Sequence, residues 1–404
     1  MKKIRTPFFI VCLLSAWAAC TKLEPKAPAA DAVMDAPLDG LTQTQNALFN
    51  KGADDFDEVY TSESGLGPVF VASSCGSCHA GDNRGHPFTM LTRFGQTDST
   101  GNHFLAYGGP QLQNNAIPGH SPEQLPAGAS SSRFIAPIAS GACFLELVSD
   151  ADILAMAHEN LSNPDGVRGH PNWNAIPGYI NPFPGDLTQG NKYICRFGRK
   201  ASTYNLLQQT AQAFNQDMGV TSSYLPQDPY NYLEGVNPAP ASDPEISNAE
   251  LEATVFYLQT LQAPIQRNTN DAQVIAGKQV FIQTGCENCH KQTLKTGFSP
   301  VDALSYQEFH PYTDLLLHDM GSGLDDGYTE GTAKTSEWRT TPLWGLGLAG
   351  DAQGGNLFLL HDGRAHSLEE AILLHGGEAA ASVGRYQMLS PADKAALLKF
   401  LQSL

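Results

Sequence analysis

Two short runs constrain this chain more than anything else in it: Cys75-Gly76-Ser77-Cys78-His79 and Cys286-Glu287-Asn288-Cys289-His290. Cys-x-x-Cys-His sets two thiols on one turn, where they can add to the two vinyl groups of a haem. The adjacent His then reaches the iron from the same side. The competing reading is one zinc ion held by both Cys pairs. That requires two motifs far apart in sequence to converge on one metal, and it leaves both His residues unexplained. The expectation is two covalently bound haem c groups. Cys75, Cys78, Cys286 and Cys289 attach them, and His79 and His290 are the proximal iron ligands.

The surroundings of the two motifs repeat. A Gly and a Phe lead into each, Gly67 and Phe70 before Cys75, Gly277 and Phe281 before Cys286, with the Phe five positions ahead of the first Cys in both. Each half closes on a similar segment, Ser247 to Leu261 and Ser390 to Leu404. A Ser N-cap, a carboxylate at the third helical position and apolar residues at helical spacing predict a helix in both places. Pro391 suits a first helical position. The predicted fold is therefore mainly α, two cytochrome c-like haem domains in tandem with long irregular loops. The predicted boundaries are an N-terminal haem domain over 41–265 and a C-terminal one over 270–404.

The first residues read as an export signal: Lys2, Lys3 and Arg5, then an apolar run from Pro7 to Ala19, too short to span a bilayer. The run ends Trp17-Ala18-Ala19-Cys20, which predicts a lipoprotein signal over 1–20 with Cys20 as the lipidated anchor. A Pro/Ala-rich stretch suggests a flexible tether over 21–40. The predicted location is the periplasmic side of the cell envelope, with membrane contact through the lipid anchor alone. A net charge of −17 argues against a nucleic-acid partner. Of the eight cysteines, Cys143 and Cys195 are left over, and in an oxidising compartment they read as a disulfide. The alternative is two buried thiols.

The sixth position on each iron separates electron transfer from catalysis. For the second haem the candidate is His375. Ser367 caps a predicted helix on which Leu368, Ala371, Ile372 and His375 share one apolar face. His361, Arg364 and His366 are candidates for the haem propionates or the pocket wall. Met320 is a weaker candidate beside the same haem. For the first haem His86, His103, His120, His158, His170, Met90 and Met218 all fall in the right half. Met218, after a helical stretch from Asn205, is the candidate taken forward, and an empty sixth site fits equally well.

At these residues the chain resembles the bacterial di-haem oxidoreductases also called thiol oxidoreductases. More distantly, it is similar to di-haem cytochrome c peroxidases and methylamine-utilisation di-haem enzymes. The resemblance rests on Gly65 to Phe70, the first motif with Gly81-Asp82, Arg196 to Gly198, and Asp217 to Gly219. It continues through His310 to Gly321, Trp338 to Gly347, His361 to Ala365, and His375 to Glu378. It implies a peroxidase-like enzyme in which one haem binds peroxide or a similar oxidant and the other relays electrons. Glu378 would be the acid that moves a proton, Trp344 an electron relay or a packing residue, and a calcium ion between the halves follows by analogy. The implied partner is an electron donor or acceptor protein of the envelope. The alternatives are a non-catalytic di-haem electron-transfer protein and a redox accessory to envelope metal uptake.

Overall fold

The computed structural model describes residues 34–80, 84–95, 97–98, 101–235 and 242–404. The predicted signal, its Cys20 anchor, most of the tether, and Gly81-Asp82 lie outside the described residues. Among the described residues no helix is long and apolar enough to cross a membrane.

The longer helices are α1 (Gln43–Asp57), α2 (Asp150–Asn160), α3 (Leu206–Met218), α4 (Asn248–Thr260), α5 (Ala272–Gln283), α6 (Leu368–Leu373), α7 (Ala380–Met388) and α8 (Pro391–Ser403). The caps read from sequence form. Ser247 and Glu250 make a reciprocal capping box on α4, and the Ser390 hydroxyl accepts from the Asp393 N–H on α8. α1 carries a second capping box, Thr42 with Gln45.

Two helix pairs repeat. α1 packs on α4 and α5 on α8, and each crossing is tight because a glycine faces a carbonyl. A Cβ on Gly52 would overlap the Ala253 oxygen, and one on Gly277 would overlap the Ala396 oxygen. Rings fill the space next to each crossing. Phe56 lies 5.3 Å from Tyr257, and Phe281 lies 5.4 Å from Phe400, centroid to centroid. The partner of Gly277 and Phe281 is therefore Gly52 and Phe56, not Gly67 and Phe70. The latter lie at a short strand, Val69–Phe70, paired with Asn115–Ala116. Residues 57 to 74 are inserted between helix and motif in the first half.

The expectation of a mainly α chain with tandem cytochrome c domains is not met. The chain is 36% helix and 12% strand. Six small sheets form among the described residues, five of two strands and one of three. Leu317–Asp319, for example, pairs antiparallel with Glu337–Arg339. No strand exceeds four residues, so period-2 alternation never builds up in the sequence. These strands exist because distant loops meet and must satisfy their buried backbone groups.

The two halves also share contacts that a tandem arrangement would not need. One apolar core includes Phe144, Leu145 and Phe214 together with Leu294, Phe309, Leu316 and Trp344. His170 and Leu317 exchange backbone hydrogen bonds of 3.0 and 2.8 Å. Lys200, fully buried, donates to the carbonyls of Lys334, Thr335 and Glu337 at 3.0–3.1 Å. The described end of the predicted tether is likewise tied down. Met34 is buried, and Leu38 N–H donates to the Thr260 carbonyl at 2.9 Å.

Candidate haem sites

Both Cys-x-x-Cys-His runs adopt the same turn. The His79 N–H donates to the Cys75 carbonyl and the His290 N–H to the Cys286 carbonyl, each at 2.9 Å. The imidazoles sit beside equivalent rings, His79 at 5.8 Å from Phe56 and His290 at 6.4 Å from Phe281. The repeated helix pairs thus deliver each motif to a comparable place.

The second motif opens on a cavity. Its volume is about 260 Å³, close to the lower end of the ~300–1,000 Å³ of a typical cofactor cleft. Cys286, Cys289 and His290 line it, and so do Leu368, Ala371, Ile372 and His375. The face predicted from sequence therefore turns inward as a unit, although α6 itself stops at Leu373. His290 Nδ1 lies 2.8 Å from the Tyr312 carbonyl and His375 Nδ1 lies 2.6 Å from the Ala371 carbonyl. Carbonyls only accept, so each Nδ1 carries the proton and each Nε2 is left with a lone pair. Burial keeps both rings neutral, pushing His290 down to about 4 and His375 below its usual range. Two neutral imidazoles with lone pairs on Nε2 line a cavity walled by Leu343, Leu346 and Val383, and both would be donors to the iron of a haem held there.

The segment that supplies the Tyr312 carbonyl is held rigidly. Tyr312 and Leu315 adopt left-handed φ of 56° and 62°, a conformation costing about 1–3 kcal/mol per residue. Thr313 Oγ1 donates to the Thr340 carbonyl, and the Asp314 carboxylate accepts from Leu316 N–H, both at 3.0 Å or less.

Sequence reading missed a charged group beside Cys289. His318, 2% exposed, places Nε2 at 2.9 Å from Asp314 and Nδ1 at 2.8 Å from Glu378. Carboxylates at both nitrogens require both to donate, so the ring is an imidazolium. Burial opposes the charge, but Asp314 and the Cys289 sulfur together hold the pKa well above the usual value. Asp314 and Glu378 are held low, the His318 ring outweighing burial in each. Glu378 also accepts from the Arg168 N–H at 2.7 Å and the Asp319 N–H at 3.3 Å. Glu378, expected from the sequence as a proton-moving acid, thus lies against His318 Nδ1, with its pKa held below the usual carboxylate range.

The triad stabilises the fold over a defined pH window. The carboxylate contribution is present above about pH 4 and is lost as pH falls through their lowered folded values. The His318 contribution is full below about pH 6.5 and is lost as pH rises through its raised folded value. His318→Leu at neutral pH leaves Asp314, which is fully buried, without its counter-ion. The expected loss is about 3–5 kcal/mol in denaturant unfolding. A loss below about 1 kcal/mol would mean the triad is not the charged cluster described.

At the first motif, Cys75 and Asp217 are both half-buried. Burial pushes both thiols, Cys75 and Cys78, up to about 12, with the Asp217 charge adding to it. Asp217 itself is pushed up to about 7 by burial, with Arg93 pulling it partly back. The Asp217 carbonyl accepts from Val71 and Ala72 N–H at 2.7 and 3.0 Å, which docks the end of α3 on the segment leading to Cys75. Met218 is 2% exposed and packs in the apolar core with Phe214 and Val220.

Other expectations change. Cys143 and Cys195 are free, buried thiols, not a disulfide. Their sulfurs point at separate carbonyls, Leu261 and Tyr193, each 3.7 Å away. Arg364 and His366 are exposed, and Arg364 pairs with Asp362 at 2.7 Å. His361 does line the cavity, stacked on Trp338 at 3.7 Å. Met320 lines it too. Trp344 is buried in the shared core, 6.1 Å from Phe309. Carboxylate oxygens of Asp228, Asp243 and Glu245 lie within 4.8 Å of one another. All three belong to the first half, so they do not form the inter-half calcium position expected by analogy.

Repeated helix pairs, each presenting a Cys-x-x-Cys-His turn, with paired neutral imidazoles at one of them, belong with haem redox proteins. The chain is a member of the family described as "Di-haem oxidoreductase, putative peroxidase", whose model matches residues 130–404. The family resemblance read from the sequence is thus borne out. None of the curated proteins matches the chain. Among solved structures, a xenon-pressurised hydrazine synthase of Kuenenia stuttgartiensis is 14% identical over 95% of each chain, with a TM-score of 0.38. A likeness at that level carries no argument.

Proposed function

We propose that this chain is an exported, peroxidase-like di-haem oxidoreductase whose two haems are covalently attached at Cys75/Cys78 and Cys286/Cys289. His79 and His290 are the proximal ligands, and His375 closes the second iron from the other side. The observation that carries the reading is the His290–His375 pair, both neutral and both with Nδ1 fixed by a carbonyl. A bound haem supplies one-electron redox chemistry, and an iron with a free sixth position also binds peroxide or a similar oxidant.

In this reading the second site relays electrons and the first meets the oxidant. Tyr312 and Ala371 orient the two imidazoles, and the apolar wall from Leu343 to Ile372 excludes water. Met218 stays in the core as a packing residue and leaves the first site open. Asp217, whose charge acts on Cys75 and Cys78, is the carboxyl that in this reading takes or gives a proton there. The lipid anchor at Cys20 and an envelope redox partner complete the proposal.

The test is the electron paramagnetic resonance spectrum of the matured, haem-loaded chain. One low-spin iron and one high-spin iron that responds to peroxide support the enzyme. Two low-spin irons indifferent to peroxide in every oxidation state would leave an electron carrier.

A further inference from the structure

Three arginines line the second cavity: Arg84, Arg199 and Arg339. Two of them are positioned by backbone carbonyls. Arg199 donates through Nε and Nη2 to the Ile135 carbonyl at 3.0 and 2.7 Å, and Arg339 donates through Nε to the Gly198 carbonyl at 3.0 Å. Arg339 is 6% exposed and its Nη1 is buried without a partner. The Nε of Arg84 is also buried without one. None of the three forms an ion pair among the described residues.

The nearby carboxylates are already committed. Asp362 lies toward Arg199 but pairs with Arg364 at 2.7 Å, and Asp314 lies toward Arg339 but pairs with His318 at 2.9 Å. Burial pulls Arg84 and Arg339 down to about 10. Burial and then the charges of Arg339 and Arg84 pull Arg199 down to about 9. His361 beside them is neutral. Lys200 lies behind Trp338, 3.8 Å from the ring centroid, and is already paired with Asp326 at 3.6 Å.

Converging cations without a counter-ion are costly in a low-dielectric interior. The rest of the cavity is largely apolar, so its occupant must be an apolar body that carries carboxylates. Guanidinium forks match carboxylates in geometry as well as charge. We infer that Arg84, Arg199 and Arg339 receive the two propionate carboxylates of the second haem. This rests on the proposal that a haem occupies the cavity. Positive charge at that edge favours the iron's reduced form, so the arginines set the potential of the second haem as well as its seat. The chemistry required is a carboxylate pair, and a free dicarboxylate could in principle supply it.

The experiment is a potentiometric titration of the full haem-loaded chain, wild type against Arg199→Gln, Arg339→Gln and Arg199→Lys. Haem content is measured in each. The low-spin signal distinguishes the second haem. The expected result is a lower midpoint potential in both Gln variants, partial recovery in the Lys variant, and two haems per chain throughout. Unshifted potentials with both haems retained would overturn the inference. So would a saturable response of the wild type to added succinate that the Gln variants lose, because the arginines would then serve an external anion. A wild-type chain carrying a single haem would instead sink the underlying proposal, before any variant is made. If Arg339→Gln fails to accumulate, Arg84→Gln carries the same test.

Discussion

Replacing His375 with Ala converts the low-spin signal of the second haem into a high-spin one. The haem itself stays, because Cys286 and Cys289 hold it whichever ligand is lost. The argument is geometric. His375 Nδ1 is committed to the Ala371 carbonyl at 2.6 Å, so Nε2 is the nitrogen offered to the cavity. Burial keeps the ring neutral, so no proton has to leave before it binds iron. Truncation to Ala removes the imidazole that the C-terminal end of α6 brings to the cavity. Added imidazole restores the low-spin signal if the vacancy is the one described. The spectrum is read on oxidised protein at neutral pH. A spectrum unchanged by the substitution would assign the sixth position to another side chain, and Met320, which also lines the cavity, would be the next to test.

The second large effect concerns stability. Gly277→Ala lowers it, although helix propensity alone predicts a gain of about 0.8–1 kcal/mol from Gly to Ala. Packing decides the sign. A Cβ at Gly277 overlaps the Ala396 carbonyl and approaches the Phe400 Cβ. The obstruction is backbone of α8 and cannot rotate away. Overpacking of this kind costs about 1–3 kcal/mol, which appears as a fall in Tm of about 2–4 °C per kcal/mol for a domain of this size. Gly52→Ala meets Ala253 and Tyr257 in the same way and behaves alike. Gly384 in α7 is the control: nothing lies within 4 Å of a Cβ there, so Gly384→Ala follows propensity and stabilises. Equal effects at Gly277 and Gly384 would mean that the close crossings do not hold the two motifs in place.

Several features were legible because they depend on neighbours in sequence. The haem motifs, the Ser247 and Ser390 caps and the inward face of Leu368, Ala371, Ile372 and His375 are all set within one or two helical turns. The internal repeat was legible in outline and misaligned in detail. Phe70 stands as far from Cys75 as Phe281 does from Cys286, and that matched spacing hid Gly52 and Phe56 behind the insertion of residues 57 to 74. The short strands were not legible at all, since two to four residues give no period to read.

The sequence by itself determined which cysteines and histidines make up a Cys-x-x-Cys-His motif, and that the motif occurs twice. Only the tertiary structure decided the electrostatics around them. Asp314, His318 and Glu378 become one charged cluster because the strand at 317–319 and the turn before α7 meet. That contact sets Glu378 against His318 Nδ1. Arg84, Arg199 and Arg339 come from three separate segments and mean nothing until those segments share a wall. Cys143 and Cys195 are separate thiols because each is packed toward its own carbonyl. Ligand identity is a property of residue type and spacing, whereas pKa and counter-ion supply depend on burial and on groups distant in sequence. Folding alone brings those together.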